Sequence, residues 1–100
     1  MARLEQLLWS AAAEEDLLSI WRYGAGEWSP VMADEHERGL SRACERLLRA
    51  PQLGRPREEL IAGLRSITED PHVVFYRVSG RTLEIVRVLH QHEDVETVFQ

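Results

Sequence analysis

Hydrophobic positions in the first third of the chain recur at helical spacing. Leu17, Ile20 and Trp21 follow an i, i+3, i+4 pattern, which is typical of a helix with one buried face. Ser10 precedes this pattern and is a suitable N-cap residue, because its hydroxyl can accept a hydrogen bond from an unpaired N–H of the first turn. We therefore predict a helix over about 11–28.

A second helix is predicted immediately afterwards. Ser29 and Pro30 form a start signal, with serine as the cap and proline in the first turn, and apolar residues such as Leu40 then recur at helical spacing. Pro51 ends the pattern, so the helix should cover about 30–50. Because the break between the two helices is short, they should form an antiparallel hairpin.

The rest of the apolar pattern is typical of β-strands. The predicted strands cover 3–9, 64–69, 72–78 and 82–90. A tail helix is predicted within 92–100. The chain is thus a single α+β domain over 1–100. Its order is an N-terminal strand, an antiparallel helical hairpin, a three-stranded antiparallel sheet and a short C-terminal tail helix.

The last two strands form a predicted hairpin with a two-residue loop at 79–80. This loop pairs Tyr76 with Leu83 and Val74 with Ile85. One face of the sheet then carries His72, Val74, Tyr76, Leu83, Ile85 and Arg87, and the other carries Val73, Phe75, Arg77, Glu84 and Val86. Both faces are partly apolar, so we expect one face to be covered by the helices and the other to remain partly exposed as a binding surface.

Composition narrows the class of protein. The chain has 100 residues, 44% of them hydrophobic, and a net charge of −5, which is typical of a globular domain. It contains a single cysteine, Cys44, and no apolar run of the roughly 20 residues that span a membrane. We therefore expect a cytoplasmic protein without a membrane partner, and we interpret Cys44 as a small buried hydrophobic residue.

All positive side-chain charge comes from twelve arginines, because the sequence has no lysine. Arg65, Arg77 and Arg87 lie on predicted strands. Arginines on a sheet need partners, so they form either a polar recognition surface or cross-strand pairs such as Arg77 with Glu84. The sequence leaves both interpretations open.

His90, His92 and Asp94 spell an HxHxD motif. Two histidines at i and i+2 on a strand share a face and can meet one metal ion. No histidine follows them, and a closed metal site needs more ligands, so a structural or surface role is favoured. We predict no metal, no cofactor and no catalytic residue.

Several segments carry a family resemblance. They are AEEDLLSIWRY, the EWSP break, LGRPREEL, AGLRSI, HVVFYRV and EIVRVLHQHEDV. In this order they resemble the ParE toxins of bacterial type II toxin–antitoxin modules, within the RelE/ParE superfamily.

The resemblance implies a toxin that stabilises the cleaved-DNA complex of DNA gyrase and is not itself an enzyme. It also implies a ParD-like antitoxin with a ribbon–helix–helix domain, through which the toxin meets DNA only indirectly. Candidate antitoxin- or target-binding residues are Arg65, Arg77, Arg87, His90, His92, Trp21 and Trp28.

Two alternatives remain. RelE-type toxins cut mRNA on the ribosome with basic groups on the sheet and a late arginine and tyrosine. This sequence matches that pattern only at Arg65, has His92 near the position of the late arginine, and has no tyrosine after Tyr76. His90 and His92 are the remaining candidates for acid and base. The second alternative is a non-toxic co-repressor that acts only in the antitoxin complex.

Overall fold

A computed structural model describes residues 4–100. Its elements are β1 (Gln6–Trp9), α1 (Ala11–Glu27), α2 (Pro30–Arg49), β2 (Arg55–Pro56), β3 (Arg65–Glu69), β4 (His72–Ser79), β5 (Thr82–His90) and α3 (Val95–Val98). The predicted α+β class and the order of helices and long strands are confirmed. The predicted first strand began at Arg3, which lies outside the described residues. None of the helices within residues 4–100 combines the length and the apolar character that spanning a membrane requires.

Both long helices begin where their caps predict. The Ser10 hydroxyl accepts a hydrogen bond from the Ala13 N–H at 3.0 Å. The Ser29 hydroxyl accepts one from the Met32 N–H at 3.1 Å, and Pro30 occupies the first turn of α2. Each cap satisfies an N–H that has no partner within its helix, which fixes the start of the helical hairpin.

The sheet has five strands in the order β1-β5-β4-β3-β2, one more than the four predicted strands. β1 joins the edge of the sheet by parallel pairing with β5, with Leu7 opposite Leu83. β2 lies outside the predicted strands, and it pairs with β3 at only two positions, Arg55 with Ser66 and Pro56 with Arg65. A strand of two residues has too short a pattern to be recognised from alternation.

The predicted register of the β4–β5 hairpin is wrong by two residues. Tyr76 lies opposite Ile85 instead of Leu83, because the loop consists of Gly80 and Arg81. Gly80 has a φ of +60°, and a two-residue hairpin loop with this conformation at its first position favours glycine. Gly80 is therefore the first residue of the loop, whereas the prediction made it the second. A shift of two residues preserves the assignment of each side chain to a face.

A bulge between Phe75 and Tyr76 changes the pairing again further along the hairpin. Phe75 lies opposite Arg87, and the strands end with His72 opposite His90. No sequence signal predicted this irregularity. Its consequence is that the first residue of β4 and the last residue of β5 are direct neighbours.

The main core lies between the helical hairpin and the sheet. Val74, Tyr76, Leu83 and Ile85 are fully buried there, which confirms the predicted core face. The residues of α2 that pack against them include Leu40, Cys44 and Leu47. Cys44 is buried as expected, and burial raises the pKa of its thiol to about 12.

The second face of the sheet is covered by the chain itself, so the expectation of a partly exposed apolar face is wrong at its centre. Phe75 and Leu89 are buried in a second core. The rings of Phe75 and Phe99 lie 5.0 Å apart, which places the C-terminal segment over this face. The short tail helix therefore supplies a cover that the sequence did not indicate.

Candidate functional site

All four histidines of the chain form a continuous row. Their ring centroids are separated by 4.9 Å from His36 to His72, by 5.8 Å from His72 to His90 and by 5.2 Å from His90 to His92. Within the row, His72 is buried, whereas His90 and His92 are exposed. The row joins the helical hairpin to one end of the sheet.

Three elements position these rings. His36 lies on α2, His72 is the first residue of β4 and His90 is the last residue of β5. The bulge in the hairpin places His72 directly opposite His90. The backbone N–H of His92 donates to Nδ1 of His90 at 3.2 Å, so the fourth ring is held by the turn that follows β5.

The His36–His72 contact is a hydrogen bond between two imidazoles. Nε2 of His36 and Nδ1 of His72 are 2.9 Å apart, so one nitrogen donates and the other accepts. Burial lowers the pKa of His72 to about 4, and the neighbouring His36 and His90 add to this effect, whereas Glu93 and Asp70 oppose it. His72 is therefore neutral at neutral pH.

The histidine row borders a cleft of about 420 Å³ between the helical hairpin and the ends of β4 and β5. We call it the histidine cleft. Its lining consists of Asp16, Ser19, Ile20, Tyr23, Trp28, His36, Pro71, His72, Val88, His90 and Glu93. No arginine belongs to this lining. Among residues 4–100, no group of three or more histidine, cysteine, aspartate or glutamate side chains is arranged to hold a metal ion.

Two aromatic side chains of the histidine cleft are open to solvent. Tyr23 is 66% exposed and Trp28 is 53% exposed, and their rings meet edge to face with centroids 6.4 Å apart. Gly24 is buried beneath Trp28, where an added Cβ would lie 3.3 Å from the indole ring. Aromatic rings with one exposed side are typical contact residues of protein interfaces.

The arginines predicted to bind a partner are engaged within the chain. Arg65 donates through Nη1 to the carbonyl oxygen of Gly54 at 2.6 Å. Arg77 donates through Nε to Glu84 at 2.7 Å, and the two residues lie directly opposite each other on β4 and β5. Of the two interpretations left open by the sequence, cross-strand pairing is thus observed for Arg77.

Arg87 lies outside the lining of the histidine cleft but binds Asp16, which belongs to that lining. It donates to both carboxylate oxygens of Asp16, and the Val88 N–H donates to the same carboxylate at 2.9 Å. The bond to Asp16 raises the pKa of Arg87 above its ordinary value. Its charge is therefore balanced inside the fold.

The two predicted tryptophans have different positions. Trp21 Nε1 donates to Asp34 at 2.7 Å and joins the two helices of the hairpin, away from the histidine cleft. Trp28 lines the cleft together with His90, and His92 contacts His90. Of the predicted site residues, the structure thus gathers Trp28, His90 and His92 in one place.

Sequence reasoning missed His36 and His72 as site residues. The predicted loop at 79–80 placed residue 72 opposite residue 87, so the neighbouring positions of His72 and His90 were hidden. Gly80 signals only the two-residue change of the register, which would place residue 72 opposite residue 89, and the bulge then brings His72 opposite His90. His36 lies on a helix distant in sequence from the hairpin, so no local pattern joins it to His72.

Comparison with known proteins identifies relatives over most of the chain. Residues 7–95 match the family model described as "ParE toxin of type II toxin-antitoxin system, parDE". Toxin ParE1 of Mycobacterium tuberculosis is 38% identical over 90 residues, which cover 89% of this chain and 92% of the relative. Toxin ParE1 of Caulobacter vibrioides is 43% identical over 82 residues, which cover 82% of this chain and 84% of the relative.

Two solved structures share the fold. A chain from the "Chromosomal ParDE TA system from P. aeruginosa" has a TM-score of 0.77 at 23% identity, covering 89% of this chain and 98% of that one. The "YoeB/ParE toxin from Agrobacterium tumefaciens" has a TM-score of 0.65 at 19% identity, covering 86% of this chain and 98% of that one.

Proposed function

This chain belongs to the ParE toxin family of type II toxin–antitoxin systems, and we propose on that basis that it inhibits DNA gyrase by stabilising the cleaved-DNA complex. The observation that carries the proposal is the family match over residues 7–95. Trapping of cleaved plasmid by gyrase in the presence of the purified toxin tests it. An inert toxin in that assay would favour the co-repressor hypothesis.

The distribution of charge supports a non-enzymatic mechanism. RNA cleavage needs a proton-transfer group close to a cation that stabilises the developing charge on phosphate. The imidazoles of the histidine cleft have carboxylates beside them, Asp16 and Glu93, and no arginine in the lining. Arg65, the position that matches the RelE pattern, donates to a backbone carbonyl. We therefore propose that the toxin has no catalytic residue.

Programmed ribosomes test the RelE-type alternative. We expect mRNA to remain intact when the toxin is added. Codon-specific cuts that disappear in His92→Ala or His90→Ala, while gyrase is unaffected, would establish the endoribonuclease and contradict our proposal. Arg81→Gln is the matched control, because Arg81 is an exposed residue paired with Glu5 on the surface.

We further propose that a ParD-like antitoxin with a ribbon–helix–helix domain neutralises the toxin in the cytoplasm. The toxin offers such a partner an exposed apolar surface around the α1–α2 turn, formed by Tyr23, Trp28, Val31 and Met32. A partner segment that folds on binding can cover side chains of this kind.

Co-purification and calorimetry with the product of the neighbouring reading frame test the antitoxin proposal. We expect the two proteins to co-elute and the Tm of the toxin to rise, because the antitoxin binds only the folded toxin. Val31→Ser should weaken the complex, since it removes an exposed apolar contact at the α1–α2 turn. Absence of binding heat together with separate elution would rule out this partner.

A further inference from the structure

The histidine cleft carries an excess of negative charge. Glu93 and Asp16 line it, and Asp70 and Glu15 act electrostatically on the adjacent His72 and Arg87, respectively. The guanidinium of Arg87 is paired with Asp16 and lies outside the lining, so the lining itself holds two carboxylates and no arginine.

The neutral groups of the cleft favour a cation as well. The Tyr23 and Trp28 rings are exposed, and the face of an indole or phenol attracts a cation placed over it. His72 is uncharged at neutral pH, so the buried part of the histidine row does not repel positive charge. Glu93 is held in place because one of its carboxylate oxygens accepts a hydrogen bond from the His90 N–H at 3.0 Å.

We propose that the histidine cleft binds an arginine side chain presented by a protein partner of the toxin, with the guanidinium stacked on Trp28 and paired with Glu93. A guanidinium is planar, so it combines stacking on a ring with hydrogen bonding to a carboxylate. The cleft volume of about 420 Å³ accommodates a long side chain together with part of its backbone. The inference rests on the proposed function only in that the toxin acts through protein partners.

Two small probes of nearly equal shape test the charge requirement. N-acetyl-arginine amide carries the guanidinium, and N-acetyl-citrulline amide replaces it with a neutral urea group. Each is titrated at neutral pH into the full-length toxin while NMR follows the imidazole C–H signals of the four histidines and the indole N–H signal of Trp28. We expect the arginine probe to shift the His72, His90 and Trp28 signals in a saturable manner and the citrulline probe to leave them unchanged.

Variants locate the binding site. Glu93→Gln removes one negative charge with little change in shape and should weaken binding of the arginine probe by roughly threefold or more. Trp28→Leu should weaken it as well, because the stacking surface is lost. Glu45→Gln is the matched control, since Glu45 is an exposed carboxylate of α2 outside the cleft lining. This variant should bind the arginine probe with the affinity of the wild type. Dispersed amide spectra verify that each variant is folded.

Three outcomes would overturn the proposal. The first is an equal response to both probes, which would show a cleft that does not select charge. The second is the absence of saturable shifts at millimolar arginine probe, and the third is unchanged affinity in both Glu93→Gln and Trp28→Leu. Because neither gyrase nor an antitoxin is present in the titration, failure here is distinguishable from failure of the proposed function.

Discussion

Arg87 of β5 and Asp16 of α1 form a two-point ion pair in which Nε and Nη2 each donate at 2.8 Å to a different carboxylate oxygen. The Val88 N–H donates to the same carboxylate at 2.9 Å. The side chains of Arg87 and Asp16 are 29% and 14% exposed, respectively, so solvent screens this ion pair less than a surface ion pair. The contact fastens the first helix to the last strand, beside the histidine cleft.

Removal of the Asp16 charge should destabilise the fold measurably. In Asp16→Asn, one of the two acceptor oxygens becomes an NH2 donor, and the partly buried Arg87 loses its counter-charge. We expect the free energy of unfolding to fall by about 1–3 kcal/mol. Urea denaturation followed by circular dichroism gives the free energy of unfolding of each protein from the midpoint and the slope of the transition.

The matched control is Glu5→Gln. Glu5 accepts a bond from Arg81 of similar length, 2.7 Å, but the two side chains are 61% and 63% exposed. Exposed ion pairs contribute little, so the change should stay below about 0.5 kcal/mol. Equal effects of the two substitutions would contradict the structural role assigned to the Asp16–Arg87 pair.

Two glycine-to-alanine substitutions should have opposite signs. At Gly54, an added Cβ would lie 2.5 Å from the Tyr76 hydroxyl oxygen and 2.8 Å from the Ser66 carbonyl oxygen. The hydroxyl accepts from the Gly54 N–H and donates to the Pro51 carbonyl, so it cannot move without breaking hydrogen bonds. Gly54→Ala should therefore lower the free energy of unfolding by about 1–3 kcal/mol.

Gly26 lies in α1, and an added Cβ there meets no atom within 4 Å. Alanine has the higher helix propensity, so Gly26→Ala should raise the free energy of unfolding by up to about 1 kcal/mol. Thermal unfolding of the two variants side by side tests both signs. A Gly54→Ala variant with the same free energy of unfolding as the wild type would show that the hydrogen bonds of the Tyr76 hydroxyl do not hold the segment before β2 in place.

The stability of the protein should depend on pH through His72. Its pKa is lowered from 6.5 to about 4, so the fold favours the neutral ring. This contribution is fully present above pH 6.5 and is lost as the pH falls toward 4, at about 1.4 kcal/mol per pKa unit. The charged and titratable groups that act on the ring are His36, His90, Glu93 and Asp70.

The free energy of unfolding of the wild type and of His72→Gln, measured across this pH range, isolates the His72 contribution. The glutamine retains a polar partner for His36 but does not titrate. We expect the two curves to differ in slope between pH 6.5 and 4, with the wild type losing stability more steeply on acidification. Parallel curves would contradict the lowered pKa.

The sequence predicts most of the fold because its local signals are strong. Ser10 and Ser29 fix the starts of the helices through their own hydroxyls, and alternation along β4 and β5 separates the two faces of the sheet. The two-residue strand β2 and the covering of Phe75 by Phe99 depend on contacts between distant segments. Neither leaves a periodic pattern in the sequence.

The candidate site is harder to predict than the fold. Arg77 pairs with Glu84, which is one of the two arrangements that the sequence left open. The histidine row, in contrast, depends on a bulge between Phe75 and Tyr76 that brings His72 opposite His90. A one-residue irregularity changes every pairing beyond it. Which distant side chains share a cleft is therefore decided by register, and local patterns determine register only as far as the first irregularity.

Gyrase-mediated plasmid cleavage is the most direct test of the proposed function. Supercoiled plasmid is incubated with gyrase, ATP and increasing amounts of toxin, then denatured with detergent and protease so that trapped breaks appear as linear DNA. The account predicts linear plasmid that increases with toxin, disappears when the antitoxin is added first, and is not formed by the toxin without gyrase. Unchanged supercoiled plasmid at saturating toxin, with codon-specific cleavage of mRNA on ribosomes by the same preparation, would contradict it.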